Sequence, residues 1–230
     1  MRLDKFICKS TELTRTEATQ VINAGKVLVN GEVITNEAVQ VHENNQITFN
    51  GQSLAVRSYR YILMHKPFGT ICSNVDEVYP SIFNYIDIDH ASELHIAGRL
   101  DVDTTGLILL TDDGRWSFNI ISPNRQCEKV YRVGLRDVIA GDVAMKFKYG
   151  IQLQGESKLT LPAKLTVIGD KELFLTITEG RHHQVKRMFA AVGNRVVSLH
   201  REKIGKISLD VEVGHWRYLT ANEIDSFMKK

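Results

Sequence analysis

The stretch GRLDVDTTGLILLTDDG, residues 98–114, decides the fold and points to a functional site. Two carboxylates, Asp101 and Asp103, lie in a glycine-flanked, threonine-rich turn that leads directly into the apolar run 106–110. An apolar run of this length, bounded by turn residues, predicts a buried strand. Because turns at strand ends commonly display reactive side chains, we expect the chemistry of the protein to lie here.

Two other interpretations of this turn are open. In the first, the Asp and Thr side chains cap their own backbone in an Asx-type turn and have no chemical role. In the second, Asp101 and Asp103 form the D-x-D-x-T motif of a haloacid dehalogenase-type phosphotransferase, which would hold magnesium on the paired carboxylates. That motif follows a buried strand, whereas here the apolar run comes after the carboxylates. The order of elements therefore disfavours the phosphotransferase.

Outward from this turn, runs of strand length alternate with short helical stretches. Strands are predicted over residues 61–64, 93–97, 106–111, 129–135, 164–168 and 173–178. Helices are predicted over residues 115–121, 142–149 and 182–192, and the last of them has Met188, Phe189 and Val192 on its core face. Gly169-Asp170 predicts a hairpin turn between the last two strands. The pattern predicts an α+β domain with a mixed, largely antiparallel sheet.

The first sixty residues are expected to form a separate module. An amphipathic first helix is followed by a second over residues 16–24, after a polar start that can cap it. Asn30-Gly31, between two short apolar runs, predicts a β-hairpin because both residues tolerate positive φ. A polar stretch over residues 50–60 is interpreted as the linker. We therefore expect two domains, residues 1–58 and 59–230.

Composition excludes several classes of protein. The apolar fraction of 43% and the charged fraction of 24% are typical of a globular chain. Three cysteines with no CxxC pair predict neither a disulfide framework nor a zinc ribbon, which favours a reducing, cytoplasmic location. Charged residues interrupt the apolar runs, so we expect a soluble protein with neither a signal peptide nor a membrane span.

Charge is distributed unevenly along the chain. Residues 180–206 carry seven Lys or Arg against one Glu, whereas residues 75–113 carry nine Asp or Glu against one Arg. Each run could be a solvated face. The basic stretch also contains three histidines and a glutamine, which can hydrogen-bond phosphates or base edges. We therefore expect it to supply most of an affinity for nucleic acid, with Arg195 and Arg201 as surface charges.

The N-terminal module resembles a known RNA-binding fold. LDKFI at 3–7, followed by TRTEATQVINAGKVLVNGEVI at 14–34, is similar to the S4-type RNA-binding module. The resemblance implies that Arg15 and Lys26, on the second helix and at the hairpin, face RNA. Residues 1–60 carry seven basic and six acidic side chains, so the module's own grip on RNA is expected to be weak.

The remainder of the chain resembles a family of RNA-modifying enzymes. GRLDVDTTGLILLTDDG is similar to the catalytic motif of the pseudouridine synthases, in the branch typified by the small-subunit ribosomal RNA enzyme RsuA. Three further segments resemble other motifs of that family and occur in the family's order: YILMHKP at 61–67, EKVY at 128–131 and EGRHHQVKRMFAAVGNRVVSLHRE at 179–202. The resemblance implies a pseudouridine synthase fold and the isomerisation of a uridine in 16S ribosomal RNA.

The resemblance also assigns roles at the reaction centre. Asp101 would be the catalytic carboxylate, either adding to the ribose or removing a ribose proton, and both routes stay open. Lys186 would pair with Asp101, with Arg187 as the neighbouring alternative. Tyr131 would act as the stacking platform for a uracil flipped out of its helix.

The resemblance further implies RNA contacts from Arg99, which would follow the displaced base, and from Lys129, Arg181, His183, Gln184 and Arg187. Isomerisation conserves atoms, so neither a cofactor nor a metal is implied. The expected partner is 16S ribosomal RNA or a small-subunit assembly intermediate, with no membrane, and the protein is expected to be a monomer. A second class stays open, a non-catalytic RNA-binding ribosome-assembly adaptor, which would not need Asp101.

Overall fold

In the computed structural model, which describes residues 1–42, 44–55 and 57–228, the chain divides into two units. The first unit is Met1–Ser58 and the second is Tyr59–Lys230. No helix in the described part of the chain has the length and apolar character needed to cross a membrane.

The first unit contains two helices and a four-stranded antiparallel sheet. Its elements are α1 (Leu3–Ser10), α2 (Arg15–Asn23), β1 (Val27–Val29), β2 (Glu32–Val33), β3 (Ile47–Phe49) and β4 (Gln52–Ser53). Helix α2 begins at a capping box, in which the Thr14 hydroxyl accepts a hydrogen bond from the Glu17 N–H and the Glu17 carboxylate accepts one from the Thr14 N–H. The strand order is β2-β1-β3-β4, and Asn30-Gly31 forms the predicted turn between β1 and β2.

The predicted linker over residues 50–60 is wrong at its N-terminal end. Asn50 and Gly51 both have positive φ and form a second Asn-Gly turn, between β3 and β4. The sequence signal was the same as at Asn30-Gly31, but an apolar run adjoins this turn on one side only, at Ile47–Phe49, and the strand that follows, Gln52–Ser53, is polar.

The second unit is built on a mixed sheet with strand order β13-β5-β7-β11-β8-β10-β9. Its strands are β5 (Tyr61–Lys66), β6 (His95–Ile96), β7 (Thr105–Thr111), β8 (Lys129–Leu135), β9 (Lys164–Gly169), β10 (Glu172–Ile177), β11 (Val196–Ile204), β12 (Ile207–Ser208) and β13 (Trp216–Tyr218). Its helices are α3 (Gly114–Ile121), α4 (Val143–Tyr149), α5 (Gln184–Ala191) and α6 (Ala221–Asp225), together with 3₁₀ turns at Ile82–Tyr85, Ala91–Glu93 and Pro123–Arg125.

The predicted α+β class with a mixed, largely antiparallel sheet is confirmed. β11 pairs parallel to β7 and antiparallel to β8, while β5–β7, β8–β10 and β9–β10 are antiparallel. Strand β11 was not predicted, because its basic residues obscure the alternation of its apolar side chains. The predicted strand 93–97 is reduced to His95–Ile96, because a 3₁₀ turn ends at Glu93.

Strand β7 separates two apolar clusters. Side chains alternate between the faces of a strand, so Leu107 and Leu109 enter one cluster while Ile108 and Leu110 enter the other. All four side chains are fully buried. Burial on both faces explains why this strand has a continuous apolar run rather than an alternating pattern.

Gly106 allows β11 to approach the start of β7 closely. The residue has a φ of +111°, and a Cβ atom built on it would lie 2.3 Å from the carbonyl oxygen of Arg201. A side chain at this position would therefore push β11 away and strain the backbone. The glycine places the Arg201 segment directly behind the loop that carries Asp101.

The substitution Gly106→Ala tests this packing. We expect it to lower the free energy of unfolding of the second unit by roughly 3 kcal/mol or more, from strain at positive φ and overpacking together. Urea unfolding followed by tryptophan fluorescence isolates this unit, because Trp116 and Trp216 are the chain's two tryptophans.

Gly114→Ala is the matched control, since a Cβ atom at Gly114 meets nothing within 4 Å and the residue begins α3. Alanine is the better helix former, so a change within about 1 kcal/mol is expected there. Equal effects of the two substitutions would contradict the close approach of β11 to β7.

Candidate active site

The loop that carries Asp101 runs from Gly98 to Thr104, between β6 and β7. Its backbone is fastened internally, because the Thr104 N–H donates to the Asp101 carbonyl at 3.1 Å. The N–H of Leu100 donates to the Sγ of Cys72 at 3.3 Å. Burial raises the pKa of this thiol, so it stays protonated and acts as a neutral acceptor.

Two buried cations hold the same loop from below. Lys66, at the end of β5, is fully buried, and its Nζ donates to the carbonyl oxygens of Thr104 at 2.9 Å and Pro67 at 3.0 Å. Burial lowers the pKa of this ammonium, against the opposing charges of nearby groups that include Asp101. Lys66 therefore ties the end of β5 to the start of β7.

Arg201, on β11, is the second buried cation, with 1% of its surface exposed. Its guanidinium donates to the carbonyl oxygens of Leu107 at 2.7 Å and Gly98 at 2.8 Å, and to the Tyr131 hydroxyl at 3.3 Å. One side chain thus connects β7, the start of the Asp101 loop and β8. The expectation that Arg201 is a surface charge for RNA is wrong, because its side chain lies on the buried face of β11 and its guanidinium is bonded within the protein.

A cluster of charged side chains forms at the tip of the loop. The Nζ of Lys186 lies 2.9 Å from Oδ2 of Asp101 and 2.5 Å from Oδ1 of Asp103. The Nε2 of His183 lies 3.4 Å from Oδ1 of Asp101. Partial burial lowers the pKa of Lys186, but its bonds to Asp103 and Asp101 outweigh burial and raise that pKa overall. The ammonium is therefore charged at neutral pH.

Helix α5 delivers Lys186 to the loop. The predicted helix over 182–192 begins only at Gln184, because His183 adopts a left-handed conformation with a φ of 50°. Val185, Met188 and Phe189 are buried at helical spacing, as predicted for the last two, and they fix the rotation of the helix. Lys186 therefore projects from the face that borders the Asp101 loop.

A cavity of about 870 Å³ lies over this cluster. Its lining includes Asp101, Lys186, Tyr131, Arg99 and Arg201. Tyr131 comes from β8 and is 7% exposed, and the bond from Arg201 fixes its hydroxyl. The volume is in the range of pockets that enclose a small organic ligand.

The other predicted RNA contacts fall into two groups. Arg99 and His183 are exposed and line the cavity. Lys129 and Gln184 also line it but are buried, and their polar atoms are engaged: the Lys129 ammonium donates to the carbonyls of Ile120 and Cys127, and the Gln184 amide donates to Glu179. These two side chains support the walls of the cavity.

In the first unit, Arg15 and Lys26 are both exposed. The Nε of Arg15 also lies 3.2 Å from a carboxylate oxygen of the buried Asp4. Arg15 is thus paired with a carboxylate of the protein itself, whereas the exposed Lys26 directly precedes β1.

Arg181 and Arg187 converge on one carboxylate. The two oxygens of Glu156 each accept one bond, at 2.5 Å from Arg181 and 2.6 Å from Arg187. Arg181 also donates to the carbonyls of Lys158 and Leu159, and Arg187 to those of Gln154 and His182. This set of bonds, here called the Glu156 brace, fastens the segment 154–159 to the start of α5.

The brace and the burial of Arg201 change the expected charge map. Three of the seven basic side chains in residues 180–206 are engaged inside the protein, and Lys186 is paired with Asp101 and Asp103. Arg195 and Lys206 are exposed. This stretch therefore offers RNA less charge than the sequence implies.

Sequence reasoning missed the supporting residues Lys66, Cys72 and Glu156, and misjudged Arg201. A lysine closing the apolar run of β5 was a usable signal, since an isolated charge in a buried strand requires partners. Glu156 gave no signal, because it lies in an irregular segment far from its partners in sequence.

The ammonium of Lys186 lies between the carboxylates of Asp101 and Asp103, the two side chains that would hold magnesium in a phosphotransferase. Among the residues that the structure describes, no group of three or more His, Cys, Asp and Glu side chains is arranged to hold a metal ion.

Comparison with known proteins gives consistent matches. Residues 60–191 match the family model described as RNA pseudouridylate synthase, and residues 1–47 match the S4 domain. The chain is 50% identical over 231 residues to the ribosomal small subunit pseudouridine synthase A of Vibrio cholerae, covering all of both chains. It is 48% identical over 229 residues to the protein of the same name from Escherichia coli, covering 98% of this chain and 99% of that one.

A solved structure described as a pseudouridylate synthase matches as well. Its TM-score is 0.73 at 47% sequence identity, and the match covers 99% of each chain. The similarity therefore extends over both units.

The substitution Glu156→Gln tests the brace. Hydrogen bonds from Arg181 and Arg187 hold the pKa of Glu156 below its usual range, so its carboxylate stabilises the fold above the unfolded-state pKa of about 4.3. That contribution is lost as the pH falls through the lowered pKa. We expect the variant to have a lower urea midpoint than the wild type at pH 7, and the difference to shrink as the pH falls below about 4.

Glu172→Gln serves as the control, because Glu172 pairs with Arg132 on an exposed strand face, where ion pairs contribute little. A Glu156→Gln effect no larger than the control, or one that is the same at pH 7 and pH 3, would contradict the brace.

Proposed function

The chain belongs to the family of RNA pseudouridylate synthases, and on that premise we propose that it isomerises a specific uridine of 16S ribosomal RNA to pseudouridine. The observation that carries the proposal is the contact of Asp101 with Lys186 inside the large cavity. It combines a carboxylate able to act on the sugar with a cation able to stabilise it.

The reaction conserves every atom of the nucleotide. The N1–C1′ bond breaks, the uracil turns, and a C5–C1′ bond forms, while C5 loses a proton and N1 gains one. Asp101 opens the sequence, either by adding to C1′ or by removing a ribose proton. Both routes need an ionised carboxylate at the sugar, and the ammonium of Lys186 lies 2.9 Å from Oδ2 of Asp101.

A uridine reaches Asp101 only after leaving its base stack, which costs roughly a few kcal/mol. Tyr131 supplies a ring against which the flipped uracil can stack, and stacking of this kind is worth about 1 to 3 kcal/mol. Arg99, exposed at the cavity, is placed to follow the displaced base. His183 stands beside Asp101 and supplies a further polar contact to the RNA.

The other side chains for which the family resemblance implies RNA contacts have supporting roles in this proposal. Lys129 and Gln184 form the buried walls of the cavity, and Arg181 and Arg187 hold the start of α5 through the Glu156 brace. In the first unit, the exposed Lys26 and Arg15 touch RNA away from the target uridine and orient the substrate.

The names of the relatives support the choice of small-subunit ribosomal RNA as substrate. Within that choice, both the naked 16S RNA and an assembly intermediate fit the proposal. The protein acts as a monomer in the cytoplasm, where ribosomal RNA is modified, and it uses no cofactor.

The substitution Asp101→Asn tests the proposed function. It keeps the size of the side chain and its hydrogen-bonding capacity but removes the charge and the nucleophile. We expect conversion of the target uridine to fall by at least roughly 10³-fold, while the affinity for RNA stays within a few-fold of wild type. The assay measures pseudouridine formed in 16S RNA or in an assembly intermediate, with no added nucleotide, alongside RNA binding.

Asp142→Asn is the control, because Asp142 pairs with Lys146 on the exposed side of α4. Undiminished turnover in Asp101→Asn would refute the role of Asp101. Loss of wild-type activity on chelation, under conditions that keep the RNA folded, would favour a metal-dependent reaction.

A further inference from the structure

Lys186 is shared between two carboxylates, although the proposed reaction consumes the charge of only one. Its ammonium lies 2.5 Å from Asp103 and 2.9 Å from Asp101. The Asp103 side chain is 52% exposed, against 30% for Asp101. Asp103 therefore lies on the solvent side of the ammonium, while Asp101 lies deeper, among the groups that line the cavity.

The two carboxylates differ in what happens to their charge during the reaction. If Asp101 adds to C1′, it becomes a neutral ester, and if it removes a ribose proton, it becomes a neutral acid. In both routes the uracil leaves with the negative charge that Asp101 has lost. Lys186 thus loses one of its two anionic partners at the moment when an anion forms on the base.

An ammonium on a flexible side chain is easily misplaced when a partner disappears, because its rotamers regain their freedom. Asp103 does not react in either route and keeps its charge throughout. Partial burial raises its pKa, but the hydrogen bond from Lys186 outweighs burial and holds that pKa below its usual range. Asp103 therefore remains an anion at neutral pH.

We propose that Asp103 is a positioning residue that holds the Lys186 ammonium at the reaction centre while the negative charge moves from Asp101 to the uracil. This inference rests on the proposed function, because the movement of charge belongs to uridine isomerisation. It assigns the two carboxylates of the D-x-D turn different tasks, one reacting and one retaining the cation.

Because Asp103 is exposed, the proposal predicts a particular combination of effects on turnover and RNA binding when its carboxylate is removed. An exposed carboxylate beside a pocket for RNA repels phosphates, so its removal is expected to leave RNA affinity unchanged or to increase it. A residue that only bound RNA or only stabilised the fold would not combine slower turnover with undiminished binding.

The test compares Asp103→Asn with the wild type in single-turnover conversion, in RNA binding and in a titration of Lys186. The titration follows the Cε resonance of ¹³C-labelled Lys186, assigned with Lys186→Arg, in the protein without RNA. We expect the rate to fall about tenfold, the RNA dissociation constant to stay unchanged or fall, and the pKa of Lys186 to move down. Asp103→Glu, which retains the carboxylate, is expected to recover a substantial part of the rate.

Asp142→Asn is again the control, since it breaks an Asp–Lys contact of 2.7 Å away from the cavity and should change none of the three readouts. A rate within twofold of wild type in Asp103→Asn overturns the proposal. So does a slowed rate with an unchanged Lys186 pKa, or a loss that comes entirely from weaker RNA binding. If Asp103→Asn does not fold, Asp103→Ser provides the same comparison.

The experiment separates this proposal from the proposed function. If the wild-type protein converts no uridine, the proposed function fails, and the titration still decides whether Asp103 holds Lys186. If Asp101→Asn is inactive while Asp103→Asn is as fast as wild type, the function stands and the role of Asp103 fails.

Discussion

The contact between β7 and β11 at Gly106 is the constraint on which the site depends. With no side chain at Gly106, the backbone of β11 lies against the first residues of β7, and Arg201 is directed beneath the Asp101 loop. From there the guanidinium reaches both the Gly98 carbonyl and the Tyr131 hydroxyl. Because Arg201 bonds to both the Asp101 loop and Tyr131, the position of β11 fixes where the loop and the proposed stacking ring lie.

The loop is supported largely by cations bonded to carbonyl oxygens. Lys66 and Arg201 are both buried, and they donate hydrogen bonds to backbone carbonyl oxygens and, from Arg201, to the Tyr131 hydroxyl. Burying a charge is costly, which is seen in the lowered pKa of Lys66. The two positive charges lie close to a cavity that contains Asp101 and that is proposed to receive an anionic polymer.

Much of the fold could be predicted from the sequence, because local signals and tertiary structure agree. The apolar run after Gly106, the Asn30-Gly31 turn and the hairpin between β9 and β10 each follow from short-range chemistry, although that hairpin turns at Asp170-Lys171, one residue later than predicted. The interior strand β11 was missed because its basic residues are satisfied by distant partners that no local pattern reveals. The same limit applies to the site: Asp101 and Lys186 were indicated by motifs, whereas the Glu156 brace depends on contacts between segments 25 and 31 residues apart.

The central claim is that Asp101, held against Lys186 in the cavity, isomerises one uridine of small-subunit ribosomal RNA. The most direct measurement is a map of pseudouridine in the ribosomal RNA of a strain that lacks this protein, complemented in turn with the wild-type gene and with Asp101→Asn. The account predicts that one pseudouridine in 16S RNA disappears in the deletion strain, returns with the wild type and stays absent with Asp101→Asn. An unchanged map in the deletion strain, or full restoration by Asp101→Asn, would contradict it.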